Sequence, residues 1–551
     1  MTMLLPVMSA RGEIQNDAIG FSTNHVFESS QAGEHIDTMT GNMTLTIPIG
    51  PRYQLHDGFG YGLTLYYNSR IWEHVCPVNE FDYCPGELLG SQSYGLGVSF
   101  WPARIYHKAG DKSYAYRLVL EDGSEHFFCD GHLSEDNCQG NYTIDQSRMW
   151  IGAEASGAWT VYPGDGRKII LGHVIGGEDE VALVSRIESI RRKPDGTATQ
   201  WVNFNYRSAL SDQFDTITDS QNRTIQFRYG GDEVAIDFPG FAATESPSGT
   251  APPSTYKLHL ASLYVHDPSD YEEGHHHVFP TTVLSSVEYP GLGSGEKYQF
   301  NYDRDTSQPR GWMLRRTLPT GAVSDYYYHE YSTSPKKPRH TELYLKTLTS
   351  GTQTYRWSWT RFQGSLYTEV GGGEEIFYQG SNPNYVRMLD PFSNLTTSRF
   401  GYTIYSNDNF VCPGGECANN WYDGLLLETR SYVGPQPDDN RLARSADYTW
   451  DLDKVGSTPK MFQYRAPRVS WPTPKPTANS VAVNTKQTEQ LSVTPAGGNY
   501  PGHSSTTKSS DYVGTQPRRQ DEYRNGALYR TTITDWAGSF EFRPSHNFVE
   551  V

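Results

Sequence analysis

The strongest constraint on the fold is a period of two within residues 38–72. Leu45, Ile47 and Ile49 alternate with threonines, and a second run over residues 63–68 alternates in the same way. Successive side chains of a β-strand point to opposite faces of the sheet. The pattern therefore predicts two half-buried strands, and the glycines between them allow the chain to reverse.

Strand and turn signals of this kind recur along most of the chain. The sequence has 52 Gly, 33 Pro and 38 Tyr, and 13% of its residues are aromatic. This composition favours strands and turns over helices. The apolar spacing of residues 181–191, VALVSRIESIR, fits a helix and a strand equally well. With 551 residues, the chain is too long for one ordinary core, so several domains or a repeat architecture are expected.

Short motifs stand at fixed places in this pattern: TGN, YNSR, DGS, YD, PTG and DP. Their residues are Thr40, Gly41, Asn42, Tyr67, Asn68, Ser69, Arg70, Asp122, Gly123, Ser124, Tyr302, Asp303, Pro319, Thr320, Gly321, Asp390 and Pro391. Taken in order, they resemble the motifs of RHS/YD-repeat proteins. Asn222 stands where a D-x-x-G-R motif has glycine, and asparagine tolerates a left-handed turn better than most residues.

The resemblance implies an all-β fold, a long curled antiparallel sheet of irregular hairpins that forms part of a hollow shell. Shells of this family, found in polymorphic toxins and insecticidal toxin complexes, enclose a toxic C-terminal polypeptide that is released by self-cleavage at aspartates. Asp390-Pro391 lacks the context of that cleavage segment, so no autoprotease residue is assigned. The implied function is non-catalytic encapsulation and delivery. The implied partner is a C-terminal or separately encoded RHS shell or toxin polypeptide.

The predicted organisation has five parts. They are a leader arm at 1–37, an N-terminal RHS-like β region at 38–235, an irregular insertion at 236–281, a YD/RHS-repeat β shell at 282–464, and a Pro/Thr/Ser-rich strand-turn continuation at 465–551. In the last part, strands are expected at 479–483, 490–494, 528–533 and 539–542.

The six cysteines form three close pairs in loop-like segments. The pairs are Cys76 with Cys84, Cys129 with Cys138, and Cys412 with Cys417. Local disulfides are the favoured interpretation, and they predict an extracellular or cell-surface location. Metal binding and reduced thiols remain as alternatives, although no CxxC repeats and no histidine stands at ligand spacing. The N-terminus does not resemble a secretory signal, so the export route stays open.

Motifs of catalysis are missing from the sequence. It has no GxSxG elbow, HExxH, P-loop or dinucleotide fingerprint, so no catalytic residue and no cofactor are predicted. Histidines and carboxylates gather at 266–277, where a solvated loop is favoured over a metal site. The net charge of −17 argues against nucleic acid as a partner. No apolar run approaches the roughly 20 residues of a membrane span.

A different function remains open, that of a secreted cell-surface adhesion or carbohydrate-binding protein. It would use tyrosines to stack on sugars, whereas the alternative is that these rings pack between strands. The candidate tyrosines are Tyr206, Tyr229, Tyr302, Tyr326, Tyr328 and Tyr402. Asn-x-Thr sequons, which matter only in a eukaryotic secretory pathway, begin at Asn42, Asn141, Asn222 and Asn394.

Overall fold

A computed structural model shows an all-β protein, as the sequence predicts, with no helix in the residues it describes. It describes residues 21–22, 27–31, 33–55, 59–74, 86–88, 93–108, 116–121, 124–128, 149–154, 156–164, 166–175, 179–240, 254–267, 278–291, 296–303, 309–331, 340–362, 385–400, 404–406, 409–411, 426–437, 442–450, 485–491, 503–513, 516–524 and 527–533.

The strands follow one another along the whole described chain. The first eleven are β1 (Phe21–Ser22), β2 (Phe27–Gln31), β3 (Glu34–Asp37), β4 (Met43–Gln54), β5 (Gly60–Asn68), β6 (Trp72–His74), β7 (Gly86–Leu88), β8 (Val98–Ser99), β9 (Ala103–Lys108), β10 (Tyr116–Leu120) and β11 (Ser124–Phe128). The next twelve are β12 (Trp150–Ala153), β13 (Trp159–Tyr162), β14 (Arg167–Leu171), β15 (His173–Ile175), β16 (Asp179–Leu183), β17 (Arg186–Ser189), β18 (Trp201–Tyr206), β19 (Phe214–Asp219), β20 (Thr224–Gly230), β21 (Glu233–Phe238), β22 (Ser254–His266) and β23 (Val278–Glu288). The last fifteen are β24 (Lys297–Tyr302), β25 (Met313–Thr317), β26 (Val323–Tyr331), β27 (His340–Ser350), β28 (Gln353–Phe362), β29 (Tyr385–Leu389), β30 (Leu395–Phe400), β31 (Ile404–Ser406), β32 (Asn409–Val411), β33 (Leu426–Tyr432), β34 (Leu442–Trp450), β35 (Thr485–Leu491), β36 (His503–Val513), β37 (Gln516–Arg524) and β38 (Ala527–Ile533).

Among the described residues, one sheet, called the main sheet here, contains 23 strands from β12 to β38. Its strands pair antiparallel and nearly always with their neighbours in the sequence. In the described part of the chain, β12 and β38 are its two edges and the sheet is not closed. A five-stranded sheet has the order β2-β3-β4-β5-β8, and a six-stranded sheet has the order β1-β11-β10-β9-β16-β15. Two further pairs, β6-β7 and β31-β32, join no other strand of the described residues.

The predicted opening hairpin is β4 and β5, which pair antiparallel. Leu45, Ile47 and Ile49 are buried on one face of β4, as their alternation predicts. They belong to the core between the five-stranded sheet and the main sheet. We call this contact between the two sheets the seam.

Residues 181–191, whose apolar spacing left helix and strand open, form strands in two different sheets. The end of β16 pairs with β9 of the six-stranded sheet, whereas β17 pairs with β14 and β18 of the main sheet. The chain changes sheets at Val184 and Ser185. Two short alternations separated by this break produce a spacing that also fits a helix.

The same tight turn joins several neighbouring strands. In each case the first residue donates its N–H to the carbonyl of the fifth, and the fourth donates its N–H to the carbonyl of the first. The fourth residue always has a positive φ. These five-residue turns run from Glu154 to Ala158, Lys193 to Thr197, Asp219 to Arg223, Leu318 to Ala322, and Asp390 to Asn394.

Two of these turns place a residue other than glycine in the left-handed region. Asn222 has φ 62° and Ser393 has φ 61°, whereas the other turns use glycine. Both exceptional turns begin with an aspartate. Oδ1 of Asp219 accepts the N–H groups of the third and fifth residues of its turn, and Oδ1 of Asp390 does the same. The hydrogen bonds of the carboxylate thus stabilise the turn, whose left-handed non-glycine residue costs about 1–2 kcal/mol.

The two ends of the chain add detail to the predicted organisation. Residues 34–37, the end of the predicted leader arm, form β3 and are largely buried. Near the C-terminus, β35 overlaps the predicted strand at 490–494 by two residues only. The predicted strands at 479–483 and 539–542 lie outside the described residues.

Candidate functional site

The seam is fastened by a buried ionic cluster around Glu34 of β3. One carboxylate oxygen of Glu34 accepts hydrogen bonds from Nη2 of Arg316 at 2.9 Å and from the hydroxyl of Tyr326 at 2.6 Å. The other oxygen is bonded to Nζ of Lys346. Nζ of Lys346 also lies 4.8 Å from the ring centroid of Trp357. One short strand is thereby tied to three consecutive strands of the main sheet, β25 to β27.

The charges within this cluster stabilise one another. Burial by itself raises the pKa of Glu34, but the positive charges of Lys346 and Arg316 outweigh it, so the pKa is lowered. Burial, together with the nearby Glu34 carboxylate, raises the pKa of Tyr326 well above its ordinary value. Glu34 is therefore an anion and Tyr326 a neutral hydrogen-bond donor at physiological pH. The cluster is suited to holding two layers together.

The TGN motif docks on the main sheet beside this cluster. The carbonyl of Gly41 accepts the N–H of Leu343 at 3.0 Å. Gly41 has φ +72°, and a Cβ atom at this position would lie 2.5 Å from Cβ of Glu342. Arg361 of β28 donates from Nε to the carbonyl of Thr38 at 2.8 Å. Glycine is required here both by the backbone conformation and by the close approach of β27.

The YNSR motif joins the TGN turn from within the five-stranded sheet. The hydroxyl of Ser69 donates to Oδ1 of Asn42 at 3.0 Å and accepts the N–H of Met43 at 2.9 Å. The buried hydroxyl of Tyr67 accepts the N–H of Met313 at 3.2 Å, which links this motif to β25. The sequon at Asn42 is thus buried in the seam.

The aspartate of the D-x-x-N-R turn provides a second contact across the seam. Oδ2 of Asp219 accepts hydrogen bonds from the Tyr61 hydroxyl at 3.1 Å and from Nε of Arg223 at 2.6 Å. The guanidinium of Arg223 lies 4.6 Å from the ring centroid of Tyr53. Burial raises the pKa of Tyr53 to about 12. A turn of the main sheet therefore contacts one tyrosine of β4 and one of β5.

The YD motif closes the loop between β24 and β25. Asp303 accepts the N–H of Arg310 at 2.5 Å and the N–H of Gly311 at 2.8 Å. Burial raises the pKa of Asp303 although backbone donors oppose this. Tyr302 beside it is buried. The motif therefore has a structural role: Asp303 fixes the backbone that leads into β25, and Tyr302 packs in the core.

The remaining motif residues lie in turns or strands. Pro319, Thr320 and Gly321 form the turn before β26, and Asp390 with Pro391 begins the turn before β30. Arg70 follows β5, where its N–H donates to Oδ1 of Asn68 at 2.9 Å. Ser124 is buried in β11. Asp122 and Gly123 lie outside the described residues.

Several other predicted features also lie outside the described part of the chain. They are Cys76, Cys84, Cys129, Cys138, Cys412 and Cys417, the sequon at Asn141, Tyr402 and most of the histidine-rich loop. Within the described ranges, no three His, Cys, Asp or Glu side chains are grouped to hold a metal ion. The described residues likewise include no helix long and apolar enough to cross a membrane.

The tyrosines proposed for sugar stacking pack among the strands wherever they are described. Tyr302 and Tyr326 are buried, and Tyr206, Tyr229 and Tyr328 are half-buried against the core. The Tyr206 ring stacks on His173, with centroids 3.8 Å apart. The packing interpretation is confirmed for these five rings.

Sequence reasoning missed the charged residues of the ionic cluster. Glu34 lies in a segment without periodic signal, and Arg316 and Lys346 stand among other polar residues. The available sequence signal for a buried charge is a charged residue within an alternating strand. In TELYLKTLTS this signal indicates Lys346 only weakly.

Two solved structures of Tc toxin complexes resemble this chain. One is a chain of the Photorhabdus luminescens Tc holotoxin pore carrying a TccC3 mutation, with a TM-score of 0.39 and 9% identity over 92% of this chain and 46% of that chain. The other is TcdB2–TccC3, with a TM-score of 0.23 and 10% identity over 88% of this chain and 32% of that chain. The chain spans less than half the length of either. No protein-family model and no curated protein matches the sequence.

Proposed function

We propose that this chain is a non-catalytic wall segment of an RHS/YD-type hollow shell that encloses a toxic or effector polypeptide and helps to deliver it. The observation that carries the proposal is the main sheet, in which 23 strands pair nearly in chain order. Open twisted sheets rarely exceed about ten strands without curling or splitting. A sheet of this size is better suited to enclosing space than to filling one core.

The seam motifs support the same proposal. In this chain the TGN and YNSR residues fasten a second layer onto the wall through Gly41, Ser69 and Tyr67. The ionisable residues of the seam, with Glu34 the most buried, are engaged in joining the two layers. The motifs that suggest a shell are therefore the residues that hold the five-stranded sheet against the main sheet.

The partner that we propose is a C-terminal or separately encoded RHS shell or toxin polypeptide. Among the described strands, β38 ends the order of the main sheet, and residues 527–532 are exposed. A terminal strand is a template for adding a strand from another polypeptide. The wall could thus continue from β38 into the partner.

The test begins with the coding region on both sides of this chain. Reading frames that encode the same motifs are co-expressed with it, and the purified complex is imaged by electron cryo-microscopy. We expect a closed cavity and an enclosed segment that resists trypsin until the complex is denatured. A complex without a cavity, or an enclosed segment digested as fast as the isolated one, contradicts the proposal.

We propose an extracellular or cell-surface location on the strength of the three cysteine pairs. Three disulfides lower the intact mass by about 6 Da relative to the reduced protein. Purification without reductant, followed by mass spectrometry before and after reduction, measures this difference. Equal masses contradict the proposed location.

A further inference from the structure

All three large sheets meet at the loop that joins β18 to β19. Ser93 donates from Oγ to Oδ1 of Asp212 at 2.5 Å, and Nε1 of Trp101 donates to the Asp212 carbonyl at 3.2 Å. Nε2 of His173 lies 2.6 Å from the carbonyl of Ser211. Ser93 and Trp101 flank β8 of the five-stranded sheet, whereas His173 belongs to β15 of the six-stranded sheet. The loop of the main sheet is thus clamped from both other sheets.

At the centre of this clamp is a buried acid whose hydrogen bonding is incomplete. Asp212 is 7% exposed, and its Oδ2 atom has no hydrogen-bond partner among the described residues. Burial raises the pKa of Asp212, although the Ser93 hydroxyl and the charges of His173 and Arg104 oppose this. A buried carboxylate with an unsatisfied oxygen is costly, whereas the neutral acid is less so.

The surroundings of Asp212 offer little further charge. The groups that face it are Ser93 and Tyr94 before β8, Arg104 on β9, His173 on β15, Tyr206 on β18 and Tyr229 on β20. Burial is the main cause that raises the pKa of each of these tyrosines, so their rings stay neutral. Arg207 and Asp215 also act on Tyr229. Asp212 is the buried carboxyl of this clamp, and its ionisation places a negative charge where burial disfavours one.

We propose that Asp212 is a pH-sensitive latch at the meeting point of the three sheets, closed when its carboxyl is neutral and loosened when it ionises. In the loosened state the loop moves out and water solvates Oδ2. The hydrogen bond from His173 is not itself the switch. A carbonyl only accepts, so Nε2 carries the proton there whether the imidazole is charged or neutral.

The direction of the pH effect follows from the raised pKa of Asp212 in the closed state. The closed state binds the proton more tightly than the open one, so raising the pH above the ordinary aspartate range weakens closure. The weakening ends once the pH exceeds the pKa in the closed state. The latch is thus tighter in acid and looser towards neutral pH. This holds whether or not the chain encloses a cargo.

Hydrogen exchange on the full-length protein measures the latch. The N–H of Phe214, the first residue of β19, donates to the hydroxyl of Tyr94 at 3.0 Å, so its protection reports closure. Protection, corrected for intrinsic exchange, is compared from about pH 4 to about pH 8. We expect it to fall about tenfold for each pKa unit that separates the closed and open states.

Two variants test whether Asp212 or His173 causes the pH dependence of Phe214 protection. Asp212→Asn keeps the shape but cannot ionise, so its Phe214 protection should stay constant over this pH range. His173→Gln removes the imidazole and should keep the pH dependence. Constant protection in the wild type, an unchanged pH dependence in Asp212→Asn, or its loss in His173→Gln would each overturn the proposal. If Asp212→Asn does not fold, the wild type and His173→Gln still decide.

Discussion

Removing the charge of Glu34 should separate the layers of the seam. In Glu34→Gln the side chain keeps its size, but Arg316 and Lys346 lose the carboxylate that both of them contact. Both cations are at most 1% exposed, so water does not replace the lost interaction. Breaking a buried ion pair by removing one partner costs about 3–5 kcal/mol. We expect a loss of this size in the local stability of β3 and β25 to β27.

The chain contains a matched control on the other face of the same strands. Arg315, next to Arg316, forms an ion pair with Asp325 at 2.5 Å, and its side chain is 50% exposed. Exposed pairs contribute about 0–1 kcal/mol because water screens the charges. Asp325→Asn removes the same kind of charge from a neighbouring pair. It should therefore cost less than about 1 kcal/mol.

Hydrogen exchange followed by mass spectrometry suits this comparison, because a chain of this size need not unfold in two states. A loss of 3 kcal/mol corresponds to roughly a hundredfold faster exchange of protected amides in β3. Adding Lys346→Met to Glu34→Gln should cost less than the sum of the single changes, since the two residues share one cluster. Equal effects of Glu34→Gln and Asp325→Asn would refute the reasoning.

Three further outcomes are expected. Gly41→Ala should cost about 2–5 kcal/mol in thermal or urea unfolding because it adds a clash with β27 to the strain of a positive φ, whereas Gly321→Ala, with open space around it, should cost about 1–2 kcal/mol. Ser393→Gly should stabilise its turn by about 0.5–1 kcal/mol because glycine adopts φ 61° without strain. Asp390→Ala should destabilise the same turn by about 1–2 kcal/mol because two backbone N–H groups lose their acceptor. If urea titrations show Asp390→Ala to be the more stable variant, the role assigned to the aspartate is wrong. Because the pKa of Glu34 is lowered in the fold, its stabilisation is present above the ordinary value of 4.5 and is lost as pH falls through the folded value, so Glu34→Gln should unfold with a weaker dependence on acid than the wild type.

The strands and turns could be predicted because their signals are local. The alternation in β4 predicts which of its side chains are buried, and the turn position of Asn222 predicts its left-handed backbone conformation. These features depend on neighbouring residues alone. Turn chemistry and side-chain period are sufficient for them.

The ionic cluster could not be predicted because a bulge reverses the alternation of β27. Tyr327 pairs with Leu345 and Tyr328 with Leu343, so Tyr344 is an extra residue. Leu343 and Lys346, three residues apart, consequently both point into the core. Strict alternation places them on opposite faces. The sequence also carries no signal that pairs Lys346 with Glu34, which lies 312 residues earlier.

This separation has a consequence for synthesis. Strands of the main sheet pair mostly with their neighbours in the sequence, so one partner of each new strand has already been made when it emerges. Glu34 must wait for Lys346, which is made 312 residues later. At about 5–20 residues per second this delay is about 15–60 s. β3 thus gains its buried ion pair with Lys346 long after it is made, whereas β5 can already contact Asp219 of the main sheet. A nascent chain stalled before β27 therefore carries a five-stranded sheet whose Glu34 still lacks Lys346.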